Sequence, residues 1–302
     1  MRFCPRCGLN DVVNAAADAA PVEIRTAKHS YRVLDRIAYG DLANVYRCRF
    51  NANAREVEGL MKIARDARVN EPLRSEARVL EQLLTLDRDH RFRPFLPCVE
   101  ESFAYCQDAP SEARQANVLR MHASIASVDE LYTLEEIRRH HPRGIDPRDM
   151  AWIWRRLLSV LGFVHANLII HGAVLPSHVI IEPREHKLLL VDWCHAVHAG
   201  ESLRTIAGGY RAWYETGVVR KYQPTTPLLD ISMAARCMID LVGGDALRLA
   251  YPADFPPALI AYFGRCFSGT PDAVRLLDDF DRLIDALWGK RTFRVLELPA
   301  KA

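Results

Sequence analysis

Between His171 and Cys194 the chain runs His-Gly-Ala-Val-Leu-Pro-Ser-His-Val-Ile-Ile, turns through a charged stretch, and resumes as Leu-Leu-Leu-Val-Asp-Trp-Cys. The two apolar runs are too short for helices and are bounded by turn-forming and charged residues, so they read as a hairpin of buried strands. A loop carrying His171 leads into the first strand, and the second ends on Asp192. No other segment ties so many polar groups to so short a run of strand.

The flanking pattern divides the chain. Residues 1–30 read as a Cys-rich tip and an Ala-rich tether. Residues 31–122 read as a small sheet-based lobe: Tyr31–Ile37, Ala43–Arg49 and Glu56–Ile63 alternate as strands, and Asn70–Leu84 keeps helical spacing through Leu73, Ala77, Leu80 and Leu84. Pro97–Phe103 and Asn117–Met121 are further short strands. Residues 123–290 read as a larger, mostly helical lobe. Pro147 suits a first helical turn. From Met150 through Ile153, Trp154, Leu157, Leu158 and Leu161 to Val164, apolar residues then hold a period near 3.6. Helices are also predicted at Pro227–Val242, Pro256–Phe267 and Pro271–Trp288, before a tail over 291–302.

Composition narrows the function classes. A chain of 302 residues suffices for one two-lobed domain with a short appendage, and 49% hydrophobic with 26% charged residues is a globular balance. A net charge of +2 gives no general attraction to nucleic acid or membrane surfaces. No run approaches the ~18 apolar residues of a membrane span. The start, Met-Arg-Phe-Cys-Pro-Arg-Cys-Gly, lacks the apolar core of a signal peptide. Eight cysteines without a framework of spacings suit a reducing cytoplasm.

The order of elements and the 171–194 segment resemble the protein-kinase-like superfamily, in particular bacterial Ser/Thr kinase-like domains. The resemblance covers roughly residues 31–288 and implies an α+β bilobal fold. Gly59-Leu-Met-Lys62 is similar to the strand motif whose lysine holds nucleotide phosphates, and Glu76 stands where its helix partner is expected. Asp192 takes the place of the metal-binding Asp of Asp-Phe-Gly, with Trp193 for the Phe and Cys194 for the Gly. Ile37 to Tyr46 is similar to the nucleotide-covering loop, keeping Gly40 and Val45 but holding alanine at 38 and 43. Leu60 stands where a small alanine usually makes room for the base. Glu215 and Asp230 match structural positions of the large lobe. Arg275 matches the arginine that pairs with that glutamate, at a spacing longer by one.

The catalytic loop departs most from the family's His-Arg-Asp-Leu-Lys-Pro-Glu-Asn. His171 and Pro176 are kept, but Gly172 replaces the Arg, Ala173 the catalytic Asp, Leu175 the Lys and His178 the Asn. Ala173 offers no group to orient an acceptor hydroxyl. His178 is an unusual neighbour for Mg²⁺, which prefers oxygen. The resemblance therefore implies a pseudokinase, a regulatory or scaffolding module for a protein client, that binds ATP with Mg²⁺ weakly or not at all through Lys62, Glu76 and Asp192. An atypical active protein kinase (Ser/Thr) or nucleotidyl-transferase using the retained lysine, glutamate and aspartate is the alternative, because loose phosphoryl transfer draws its rate mainly from positioning and charge neutralisation rather than from a general base. Cys4-Pro-Arg-Cys7-Gly8 resembles half of a zinc ribbon. It opens a third reading, an adaptor that uses the fold as a docking platform. His29 or a second chain would have to complete the zinc site, so a dimer through the knuckle is one expectation.

Overall fold

The computed structural model describes residues 22–52, 54–106, 113–122, 128–221 and 223–299. The small lobe is an antiparallel sheet of β1 (Val22–Arg25), β2 (Ser30–Tyr39), β3 (Ala43–Ala52), β4 (Arg55–Ala64), β5 (Cys98–Tyr105) and β6 (Arg114–Arg120), in the order β1-β2-β3-β4-β6-β5. Helix α1 (Asn70–Leu86) enters between β4 and β5. Its predicted apolar stripe is real: Leu73, Ala77 and Leu80 are buried and Leu84 packs against the main core. On the opposite sheet face to Lys62, Met61 and Ile63 join Tyr31, Val33, Cys48, Phe50 and Val118 in a separate small core. The alternation of β4 thus sends its charged residue one way and its apolar ones the other.

The large lobe follows as β7 (Tyr132–Thr133), α2 (Leu134–His140), α3 (Pro147–Ala166), β8 (Ile169–Ile170), β9 (Val179–Glu182), β10 (Lys187–Leu190), β11 (Val197–His198), α4 (Thr216–Val219), α5 (Pro227–Leu241), α6 (Pro257–Gly264) and α7 (Ala273–Trp288). β9 and β10 are the expected hairpin, with Ile181 opposite Leu188 and Val179 opposite Leu190. Helix α3 starts where Asp146 accepts a hydrogen bond from the Arg148 backbone at 2.8 Å, with Pro147 in its first turn. All seven apolar positions of its predicted stripe are fully buried. Trp154 anchors it further: its indole N–H donates to the Tyr262 hydroxyl at 3.0 Å, which donates on to the Leu276 carbonyl at 2.8 Å, joining α3, α6 and α7.

One element departs from the sequence expectation. The tether expected up to residue 30 is interrupted at Val22–Arg25, which pairs with β2 from Val22 opposite Val33 to Arg25 opposite Ser30. A four-residue run has too little periodicity to stand out from the Ala-rich stretch before it. The tail after α7 packs back onto the large lobe. Arg294 Nε donates to Asp149 at 2.8 Å, Leu296 is buried, and the Tyr132 hydroxyl donates to the Pro299 carbonyl at 2.7 Å. Among the described residues, no helix is long and apolar enough to cross a membrane.

Replacing Tyr262 by Phe should strand the Trp154 indole N–H and remove the bond that ties α6 to the Leu276 carbonyl. A loss of about 1–3 kcal/mol in urea unfolding is expected, with little change in the slope.

Candidate functional site

Lys62, Glu76 and Asp192 meet between the lobes. β4 aims Lys62 inward, in register with Val45 on β3 and Asn117 on β6. Its ammonium donates to Glu76 Oε1 at 2.8 Å and to Asp192 Oδ1 in a shorter contact. Glu76 is completely buried and fully engaged. Its Oε1 also accepts from the Trp193 backbone at 3.2 Å, and its Oε2 accepts from Asn117 Nδ2 at 3.1 Å. Burial alone would lower the Lys62 pKa, but Asp192 and Glu76 reverse this and hold it well above the ordinary lysine value. Glu76, Asp192 and Cys194 also lie close enough together to resemble a metal cluster. The Lys62 ammonium already bonds both carboxylates, so the cluster has its cation.

Asp192 sits in the left-handed region at φ 64°, ψ 61°, which an aspartate tolerates better than most residues. Its second oxygen faces His178 Nε2 at 3.0 Å, while His178 Nδ1 faces the Ala173 carbonyl at 2.9 Å. Both partners are acceptors, an arrangement that favours the doubly protonated ring. Burial disfavours that charge, but the Asp192 carboxylate and the bonds to both partners outweigh it and raise the His178 pKa. Burial likewise opposes the Asp192 anion, and Lys62 with His178 more than compensates, holding its pKa well below the usual range. His178, expected beside Mg²⁺, faces an acceptor with each ring nitrogen in this arrangement. As arranged, the Glu76 and Asp192 carboxylates are matched by Lys62 and His178.

The catalytic-loop position is closed as well as altered. Ala173, Val174 and Leu175 are 0%, 0% and 1% exposed. Gly172 has φ +77°, and a Cβ there would lie 2.7 Å from the His195 carbonyl and 2.8 Å from Leu203. The arginine of the family is thus sterically barred, which the sequence alone shows only as a missing charge. The loop is held from below by Asp230 at the start of α5. Its carboxylate accepts from the backbone N–H of His171 and of Gly172, both at 2.8 Å, and meets His165 Nε2 at 3.0 Å. Burial pushes the His171 pKa down to about 4. The neutral ring donates from Nε2 to the Val191 carbonyl at 3.0 Å and packs edge-on against Trp193. Trp193 fills the slot expected of the Phe: it is fully buried and its indole donates to the Leu190 carbonyl at 2.9 Å.

The rim of the cleft is bridged at two places that sequence reasoning missed. Arg47, two residues along β3 from Val45 and opposite Leu60, reaches Asp129 of the large lobe at 3.2 Å and Asp35 of β2 at 3.4 Å. Leu60 and Arg47 therefore lie on the same sheet face as Lys62, where the base would enter. At the other edge, Asp41 in the Gly40 turn accepts from the Gly208 backbone at 2.9 Å, tying the turn to the segment after Asp192. Gly40 itself is exposed and donates to the Ala43 carbonyl at 2.9 Å. The expected pair of Glu215 and Arg275 is not formed: both are exposed, Glu215 accepts from Gln223, and the Arg275 backbone is capped by Asp272. The extra residue of spacing sets Arg275 in the first turn of α7, pointing away. Cys4 and Cys7 lie outside the described residues. His29 is committed elsewhere, with Nε2 2.9 Å from Glu100 and its ring against Tyr31 and Phe50.

Two substitutions test this geometry. Gly172→Arg, although it restores the family residue, should sharply lower thermal stability or prevent folding. His178→Gln should destabilise in a pH-dependent way. The folded pKa of His178 is raised, so its contribution is complete below the unfolded value near 6.5 and fades as pH rises through the folded value. The Asp192 pKa is lowered, so its own contribution fades only in acid. The gap in melting temperature should be widest near about pH 5–6 and shrink toward alkaline pH. A gap that grows with pH would show that the ring is neutral.

No protein-family model matches the chain. Among solved structures, the chain is similar to the one titled "Crystal structure of BubR1 kinase domain", with a TM-score of 0.63 and 11% identity. The match covers 89% of this chain and 84% of that one. At that identity the likeness speaks for the fold alone. A curled small lobe, a helical large lobe and this likeness together make the chain a bilobal, protein-kinase-like fold.

Proposed function

We propose that the protein is a pseudokinase, a regulatory or scaffolding module of the cytoplasm that acts by binding a protein client. The observation that carries this reading is that the Asp192 carboxylate is neutralised from within by Lys62 and His178, beside a fully buried Ala173. Phosphoryl transfer needs a metal to bridge phosphates and a positioned acceptor. Here the metal's carboxylate is taken and the acceptor's partner is absent. Losing hydroxyl orientation, γ-phosphate neutralisation and a metal ligand each costs on the order of 10²-fold or more in rate. ATP binding is weak or absent in this reading, since Leu60 and the Arg47–Asp129 bridge occupy the face where a base would lie. The retained Lys62–Glu76 pair favours the second reading, an atypical ATP-dependent transferase.

Radiolabelled γ-phosphate transfer to the protein itself or to peptides should stay at background, and Ala173→Asp should not restore it. Transfer that disappears in Asp192→Ala would instead establish the atypical enzyme. Calorimetry with Mg·ATP should give no affinity in the low micromolar range. His178→Asn should be the variant whose melting temperature begins to respond to Mg·ATP, because it removes the internal cation and returns an oxygen ligand.

For the Cys4/Cys7 tip we propose a half-site, because two thiolates leave a zinc tetrahedron half filled. Tightly held zinc is expected at about one ion per dimer, with dissociation on chelation. Metal analysis with sizing chromatography checks this, and one ion per strict monomer would refute it.

A further inference from the structure

A cavity of about 470 Å³ opens on the back of the large lobe, between the start of α3, the β9–β10 turn, the end of α7 and the tail that follows it. It is separate from the Lys62 cleft, and its volume falls in the range of small-molecule sites. The ionisable side chains of its wall are one-sided. Arg148, Arg155, Lys290, Arg291 and Arg294 line it together with His186, and no carboxylate does. Three of these cations are backed from outside the cavity, Arg155 and Arg291 by Asp281 and Arg294 by Asp149. Arg148 and Lys290 have no carboxylate partner among the described residues. The Arg148 guanidinium instead lies 5.7 Å above the Trp288 ring.

Much of the remaining wall is aromatic and built for planar contact. Trp152 stacks on His186 with centroids 4.2 Å apart and 2° between planes, and His186 stacks on Phe293, also at 4.2 Å. His186 is fixed in this stack by its bond from Nε2 to the Arg294 carbonyl at 2.6 Å. The stack ends on Phe293, which is 65% exposed. Trp152, at its other end, is 8% exposed, and its buried indole N–H has no acceptor among the described residues. A wall of cations without anions and a ring stack with an open end share one complement.

We propose that this cavity is a binding site for a small aromatic anion: a planar ring that extends the Trp152–His186–Phe293 stack, carrying a phosphate that Arg148 and Lys290 neutralise. Guanidinium and ammonium groups recognise phosphate by charge-assisted hydrogen bonds, and a ring on an aromatic face adds the contact that a bare anion lacks. The proposal does not depend on how the cleft at Lys62 is read.

Calorimetric titration of the full chain with phenyl phosphate tests it. Saturable binding is expected, at least tenfold tighter than that of inorganic phosphate or of phenol. Arg148→Glu combined with Lys290→Glu should weaken it at least tenfold, and because both side chains are exposed the melting temperature should hold. Phe293→Ala, at another exposed position, should weaken phenyl phosphate while leaving the weaker response to inorganic phosphate unchanged. Lys62→Met should leave binding intact. Absence of saturable binding, equal binding of phosphate alone, indifference to the double charge reversal, or loss in Lys62→Met would each overturn the proposal.

Discussion

Two cations and two carboxylates meet at one shielded point between the lobes, and the surrounding structure is organised to keep them balanced. Lys62 comes from the sheet, Glu76 from α1, Asp192 from the end of the hairpin and His178 from the loop before it. Removing one member of a buried ionic group is costly because its partner stays charged without compensation. Helix α1, the hairpin and the sheet are therefore fixed to one another by the same condition of neutrality. Trp193 is pinned in consequence, since its backbone N–H also ends on Glu76.

A second buried carboxylate does the corresponding work beneath the loop. Asp230 collects two backbone N–H groups and a histidine nitrogen, so the turn through His171 and Gly172 is held whatever side chains follow it at 173, 175 and 178. Geometry and chemistry have separated here. The loop keeps its path because backbone amides must be satisfied wherever they are buried, and that requirement does not depend on what the side chains at 173, 175 and 178 can do.

Much of this is legible in the sequence, and the reasons are specific. α3 is visible because its seven apolar positions recur at the period of a helix, and the β9–β10 hairpin because two apolar runs flank a charged turn. Lys62, Glu76 and Asp192 can be placed because each sits at a fixed offset from an element with its own pattern. The charge state of His178 is not legible, because it follows from the Ala173 carbonyl and the Asp192 carboxylate lying on opposite sides of one ring. Arg47 and Asp129 escape notice because 82 residues separate them and neither belongs to a motif. Glu215 and Arg275 pair on motif alone, and one residue of extra spacing is enough to turn the arginine outward.

Gly172 carries a consequence for how such a chain can change. Its left-handed backbone brings the His195 carbonyl to within contact of any side chain placed there. An arginine at this position would disrupt the fold before the charge it brought could act. An aspartate at Ala173 would likewise be a lone carboxylate sealed in an apolar core. At these two positions backbone geometry and packing dictate the side chain before any chemistry it could supply, so change along this loop is limited by the fold itself.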